Sequence, residues 1–245
     1  MKRFFDIICS LAGLLFISPV LLVFMLLIWL QDFHSPFYIA QRVGRNGTLF
    51  NMIKLRSMVA GADKSGIDST AAGDLRITKI GRMIRRYKLD ELSQLWNVLF
   101  GQMSLVGPRP NVSRDVDLYT AKEMGLLEVC PGITDISSIV FSDEGDILEG
   151  ADDPDLLYNQ IIRPWKSRLG IFYVQHHGLL LDIKLILLTI MSLISRRKAL
   201  EGVAKILQSL GADQRLIAVA RRNTALQPCP PPGAEAVVTS RIVVK

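Results

Sequence analysis

The sequence predicts a mostly helical protein of α/β class, held at a membrane through its N-terminus. Three observations carry that prediction. Residues 7 to 30 form a run of 24 residues without a charge. The stretch from Tyr38 to Met58 alternates like two paired strands around Asn46-Gly47, and residues 89–105 and 178–194 place apolar side chains at helical spacing. Composition agrees, since 49% apolar content over 245 residues and a mean hydropathy of +0.29 exceed what the core of a soluble domain needs.

The uncharged run, about 36 Å long at roughly 1.5 Å per residue, is sufficient to cross a hydrocarbon core of about 30 Å. A cleaved signal peptide fits less well, because the run is longer than the usual apolar region and no small-x-small site follows. Pro19 divides it into pieces of roughly 16 to 18 Å, each too short to cross alone. Pro19 removes one helix hydrogen bond, and the Ser18 hydroxyl is placed to bond back to the Leu14 carbonyl, a combination that re-satisfies a bent backbone in lipid. Lys2 and Arg3 precede the run and Arg42, Arg45, Lys54 and Arg56 follow it, so both flanks favour the cytoplasmic side. A kinked spanning helix and a re-entrant helix-break-helix both fit these facts.

Asn46-Gly47 supplies the positive φ angles of a tight hairpin turn, and alternation puts Lys54 and Arg56 on one face of the second strand. Residues 61–74, small and polar, predict a mobile loop. Thr78 is placed to cap a basic helix; from Arg76 to Lys88 there are six cations and no acid. In 89–105, Leu89, Leu92, Leu95, Trp96 and Leu99 form an apolar stripe with Asp90, Gln94 and Asn97 opposite. Such a helix suits either a membrane interface or an ordinary core. "GPRP" and "CPGITD" read as extended turns, and residues 143–155, with seven acids and no base, as a solvated segment that shields or selects among substrates. Asp182 and Lys184 shorten the uncharged part of 178–194, which favours a surface-lying or packed helix over a second span. From Ala199 onward an amphipathic helix, "QPCPPPG" and a Val-rich end carry no nameable chemistry.

The charge of +6 favours an anionic partner, which by composition alone is a lipid surface, a nucleic acid or a phosphorylated substrate. Cys9, Cys130 and Cys229 are odd in number and far apart, which suggests neither a disulfide framework nor a metal site. His176-His177 lacks further ligands nearby and reads as structural. Neither common phosphate-loop motif occurs. The cations gather at Lys54, Arg56, Arg76 to Lys88, and Arg109, the last held between two prolines that stiffen its backbone. Asp90-Glu91 decides between two classes of function. Phosphoryl transfer needs carboxylates and cations together, one acid attacking phosphorus while its neighbour holds a divalent metal. Adhesion by a non-catalytic basic protein to anionic lipid or nucleic acid, the alternative reading, needs only the cations.

Several stretches together resemble the bacterial sugar transferase family, the small monotopic phosphoglycosyltransferases that act on polyprenyl phosphate. They are "KRFFD" at 2–6, "SP" at 18–19, "QRVG" at 41–44, "KLRSM" at 54–58, "DLRITKIGRMIRR" at 74–86, "LDELSQLWNVLFGQMSLVGPRP" at 89–110, "PGIT" at 131–134 and "LLLDIKLILLT" at 179–189. The resemblance implies a membrane hairpin over 1–35 bent at Ser18 and Pro19, a catalytic domain with interfacial helices around a β-hairpin and active-site cleft over 36–198, and an extension of unknown role over 199–245. It implies transfer of sugar-1-phosphate from a UDP-sugar to undecaprenyl phosphate, releasing UMP, at the cytoplasmic face of the bacterial inner membrane. In that reading Asp90 is the nucleophile of a ping-pong cycle, Glu91 binds Mg²⁺, Arg109 belongs to the phosphate site, and Lys54, Arg56 and Arg85 are further phosphate contacts. The implied partners are the two substrates and membrane lipid, with no nucleic acid; a homodimer stays open. The chain departs from the family's common pattern at Lys88, Ser93 and Asp135, and in "ISSIVFSDEGD". Lys88 and Ser93 are expected not to touch the acid pair, and the other two put the donor sugar in question.

Overall fold

The computed structural model describes residues 1–62 and 74–240, so most of the loop expected over 61–74 and the end of the Val-rich terminus lie outside the described residues. The chain opens with α1 (Lys2–Asp32). The interruption expected at Ser18-Pro19 is absent, and the helix runs through it unbroken. Pro19 lacks the N–H that would reach the Leu15 carbonyl, and the Ser18 hydroxyl donates to that carbonyl at 2.9 Å, not to Leu14 as expected. One side-chain bond thus fills the gap that the proline leaves.

Asp6, Ser10, Leu14, Leu21 and Ile28 are the buried stripe of α1, spaced to lie on one face. The opposite face is bare: Leu15 and Phe16 are 74% and 81% exposed, with Leu11, Leu22, Val23 and Leu30 beside them. An apolar face of that length is compatible with membrane association. The ends of α1 are tied to the body. Lys2 Nζ meets Asp182 Oδ2 at 2.5 Å, Arg3 donates to the carbonyls of Val98 and Leu99, and Asp6 accepts from Ser104 Oγ and the Leu105 N–H. At the far end Phe33 closes the helix in the left-handed region at φ 56, and Asp32 pairs with Arg56.

Strands β1 (Phe37–Val43) and β2 (Leu49–Leu55) form the expected antiparallel hairpin. The five residues 44–48 connect them, turning at Arg45 to Gly47 and closed by the Gly44 N–H on the Thr48 carbonyl at 2.7 Å. Asn46 and Gly47 take φ of 56 and 78 there, a conformation that Asn and Gly adopt most readily. Thr78 caps α2 (Lys79–Arg86), its Oγ1 accepting from the Gly81 N–H at 2.9 Å.

The single helix expected beyond it is two: α3 (Leu89–Leu92) and α4 (Leu95–Leu99), with Ser93 and Gln94 between them. Leu89 and Leu92 pack with Leu21, Ile28, Leu55 and Ile84. In α4 the polar side turns inward: Asn97 is buried, while Trp96 and Phe100 are exposed and stacked on one another. That orientation suits an interface helix, one of the two alternatives open from sequence.

Strand β3 (Ser104–Val106), helix α5 (Ser113–Val116) and strand β4 (Gly132–Thr134) follow. "GPRP" follows β3, but "CPGITD", expected to be a turn, contains β4, and the parallel pairing of β3 with β4 was not expected. It depends on glycine: a Cβ on Gly132 would stand 2.0 Å from the Gly107 nitrogen. Helices α6 (Ile136–Val140), α7 (Glu144–Ile147) and α8 (Pro154–Leu157) lead through a π-helical turn at Tyr158–Ile162 into α9 (Arg163–His176). Helix α10 (Leu179–Ile194) buries Leu181, Asp182 and Leu185 and exposes Leu180, Leu187, Ile190 and Ile194, so it lies on the surface as expected.

Helices α11 (Arg196–Ser209) and α12 (Gln214–Arg221) complete the described elements. Leu200, Val203, Leu207, Leu216 and Ile217 share the main core with Ile136, Val140, Leu169, Tyr173 and Leu185. Each such side chain contributes about 1.5–3 kcal/mol by leaving water, so the segment after Ala199 is part of the body that holds the site.

Candidate active site

A cleft of about 1410 Å³ opens between the hairpin, α2, α3 and the 138–166 region. Lys88, at φ 53, turns the chain sharply between α2 and α3. Leu89 and Leu92 then face the α1 contact, and Asp90 and Glu91 line the cleft. Ser93 locks this arrangement with its one hydroxyl proton shared between the carbonyls of Ile53 and Asp90, each at 3.1 Å. The expectation that Lys88 and Ser93 stay clear of the acid pair is therefore corrected: the Lys88 carbonyl accepts from the Glu91 N–H at 3.2 Å and the Lys88 charge helps lower the Glu91 carboxyl, while the short Ser93 hydroxyl reaches back to the Asp90 carbonyl at the end of α3. Asn97 braces the same strand from below, accepting from the Ile53 N–H at 3.0 Å and donating to the Asn51 carbonyl at 2.7 Å.

Glu91 Oε1 meets Arg109 Nη1 at 2.7 Å. Burial works to raise the Glu91 carboxyl, but the charges of Arg109 and Lys54 outweigh it and hold the group at about 2. The Asp90 carboxylate has no hydrogen bond or ion pair among the described residues. Burial pushes its carboxyl up, and Lys54, Arg109 and Arg85 pull against that. Burial draws the Lys54 ammonium down to about 8, with Arg109 adding repulsion. An unpartnered carboxylate thus stands among three cations beside a partnered one.

Lys54, Arg85 and Arg109 line the cleft with the acid pair, Arg85 steadied by Ser57 Oγ at 3.0 Å. Arg56 also borders it, but its donors are engaged: both terminal nitrogens hold the Asp32 carboxylate at 2.5 and 2.6 Å, and Nε bonds the Ser35 carbonyl at 2.8 Å. Here the guanidinium fastens the end of α1 to β2. Arg56→Ala is expected to cost about 1–2 kcal/mol, read as a lower thermal midpoint in detergent; an unchanged midpoint would contradict the fastening role.

Other residues also line the cleft. Arg42 from β1, Tyr158 from the π-helical turn, Lys166 from α9 and Glu144 from α7 all reach it. Lys166 pairs with Glu144 and lies 5.3 Å from the centre of the Tyr158 ring. The acidic run is therefore not simply solvated: Asp143 and Glu144 are in ion pairs, and Asp153 caps α8. The alternation of β1, which sets Arg42 on the face of Ala40, and the acidic run read as selecting among substrates, which holds Glu144, point at two of these positions; Tyr158 and Lys166 carry no such signal.

The carboxylates suit a divalent cation such as Mg²⁺, which takes oxygen ligands and commonly uses one or two protein carboxylates plus substrate phosphates. Glu91 Oε2 and the free Asp90 carboxylate supply such donors, and no larger acid, His or Cys cluster stands among the described residues. A basic cleft floored by a carboxylate pair, above a helix with a lipid-facing apolar side, defines a membrane-associated protein suited to phosphorylated ligands.

The family model described as bacterial sugar transferase matches residues 1–196, and the chain belongs to that family. It is 47% identical over 109 residues to a putative undecaprenyl-phosphate N-acetylgalactosaminyl 1-phosphate transferase of Bacillus subtilis, covering 44% of this chain and 61% of that protein. It is 35% identical over 196 residues to the UDP-glucose:undecaprenyl-phosphate glucose-1-phosphate transferase of Klebsiella pneumoniae, covering 77% and 39%. A UDP-N-acetylgalactosamine-undecaprenyl-phosphate N-acetylgalactosaminephosphotransferase of Aeromonas hydrophila is 29% identical over 201 residues, covering 79% and 44%. The chain thus spans less than two thirds of the length of each of these relatives.

Proposed function

We propose that the protein transfers sugar-1-phosphate from a UDP-sugar to a polyprenyl phosphate such as undecaprenyl phosphate, releasing UMP. The observation that carries this reading is the unpartnered Asp90 carboxylate set among Lys54, Arg85 and Arg109 in a cleft beside α1. The names of the relatives support the same substrate classes.

In the first half of the cycle an Asp90 oxygen attacks the phosphorus that carries the sugar, and the bond from that phosphorus to the UMP oxygen breaks. The product on the protein is an aspartyl phosphosugar. In the second half a phosphate oxygen of the lipid attacks the same phosphorus, the aspartyl oxygen leaves, and the carboxylate is restored. Covalent storage lets a soluble donor and a lipid acceptor use one site in turn. Arg109 and Lys54 neutralise the phosphoryl oxygens as negative charge moves across them. Ser93 keeps the Asp90 backbone against β2. Glu91 would hold Mg²⁺, which when bound supplies charge neutralisation at the diphosphate.

The same reading sets α1 as a re-entrant anchor on the cytoplasmic face of the inner membrane, turned by a kink at Pro19 within one continuous helix and not by the helix-break-helix expected from sequence. Both of its ends are tied to one body, Lys2 to α10 and Asp32 to Arg56, and cations flank both ends of the apolar run. With the native cysteines replaced, a cysteine inserted before Lys2 and one at His34 are expected to react with an impermeant reagent from the same side. Labelling from opposite sides would sink re-entry.

The activity is tested by incubating the purified protein with polyprenyl phosphate, Mg²⁺ and a panel of UDP-sugars while UMP is measured. Release of UMP with at least one donor is expected, and its absence with every donor would overturn the proposal.

A further inference from the structure

The wall of the cleft opposite the hairpin includes the start of α7, and three residues hold it there. Asp143 precedes α7 immediately and pairs with two arginines: Arg222 Nη2 donates to Oδ2 at 3.0 Å, and Arg196 Nη2 stands 2.9 Å from Oδ1 as an ion pair without hydrogen-bond alignment. Arg196 also bonds Ser142 Oγ at 3.2 Å. Arg222 lies 5.5 Å from the centre of the Phe141 ring. Phe141, Ser142, Asp143 and Glu144 all line the cleft, so the two arginines grip the back of four consecutive lining residues.

The grip leads toward the chemistry. Glu144, next to Asp143, pairs with Lys166. The Glu144 charge is felt at Arg109, and the Lys166 and Arg109 charges oppose one another. Arg222 itself closes α12 in the left-handed region at φ 55, uncommon for a residue other than Gly, Asn or Asp. Its guanidinium is only 12% exposed. The family match ends at residue 196, so one half of the grip comes from the segment beyond it.

We infer that Arg222, with Arg196, is a positioning residue of the donor site: through Asp143 it fixes Glu144 and thereby Lys166 against the bound nucleotide diphosphate sugar. The segment after residue 196 thus completes a wall of the cleft. This rests on the proposed reading of the cleft as a donor site.

The full-length protein in detergent is compared with R222A and R222K. In R222A, amide exchange over residues 142–148 is expected to quicken, and the KM for the UDP-sugar to rise about tenfold, with kcat and the KM for polyprenyl phosphate within about threefold. R222K, which keeps a cation, is expected to recover most of the donor KM. Should R222A fail to fold, Asp143→Asn removes the same ion pairs at constant volume and is read identically. Unchanged exchange protection over 142–148 overturns the inference, as does an unchanged donor KM with activity present. If the wild-type protein releases no UMP with any donor, it is the proposed function that fails, and the exchange comparison still reads the grip.

Discussion

Asp90→Asn is expected to abolish turnover, with a loss of about a thousandfold or more in kcat. The substitution removes one charge and little volume. Its amide nitrogen is no nucleophile at neutral pH, and its remaining oxygen carries no full charge for the attack on phosphorus. The backbone position survives, since Ser93 Oγ bonds the Asp90 carbonyl and not its side chain. The thermal midpoint should therefore hold or rise, because an acid whose burial opposes ionisation is replaced by a neutral group. A variant that keeps wild-type kcat would refute the nucleophile assignment, and one that no longer folds would point to a structural role.

Glu91→Gln is expected to lower kcat/KM by about a hundredfold and to raise the Mg²⁺ concentration giving half-maximal activity by about tenfold or more. Two consequences combine here. The metal loses a charged oxygen ligand, and Arg109 loses the carboxylate that holds it at 2.7 Å. The Arg109 backbone stays fixed between Pro108 and Pro110, both buried, so the guanidinium is freed without displacing its loop. Titration of Mg²⁺ separates the two effects. A lower rate with an unshifted Mg²⁺ curve would assign Glu91 to Arg109 alone and remove it from the metal site.

Much of this site was legible in the chain because its members sit close in sequence and on regular elements. Thr78 announced α2, Asn46-Gly47 announced the hairpin, and Asp90, Glu91 and Arg109 lie within one stretch of twenty residues. Alternation put Lys54 on the strand face that borders the cleft. The errors have physical causes. The apolar stripe from Leu89 to Leu99 is continuous, so the break at Ser93 has no signature in periodicity; it is made by tertiary bonds to β2. Strands of three residues, such as β3 and β4, are too short to alternate visibly, and their pairing depends on the close approach at Gly107 and Gly132.

Arg56 shows a different limit. Its side chain borders the cleft and also meets Asp32, 24 positions earlier, and no spacing rule shows that a distant acid is waiting there. Lys166 on α9 and Tyr158 on the π-helical turn before it illustrate the converse, since residues far from every motif reach the cleft through tertiary packing, in which α9 lies against α6. The amphipathic pattern after Ala199 was visible, but an amphipathic helix does not state its partner, and here the partner is the main core.

The covalent step carries the most weight and is open to direct measurement. The protein is incubated with a UDP-sugar and Mg²⁺ without polyprenyl phosphate, then denatured and weighed intact by mass spectrometry. A mass increase of one phosphosugar is expected, located on the peptide containing Asp90, absent from Asp90→Asn and discharged when polyprenyl phosphate is added. Transfer to lipid by a protein that never carries the added mass, even on rapid quenching, would contradict the aspartyl intermediate and favour direct attack of the lipid phosphate on the donor.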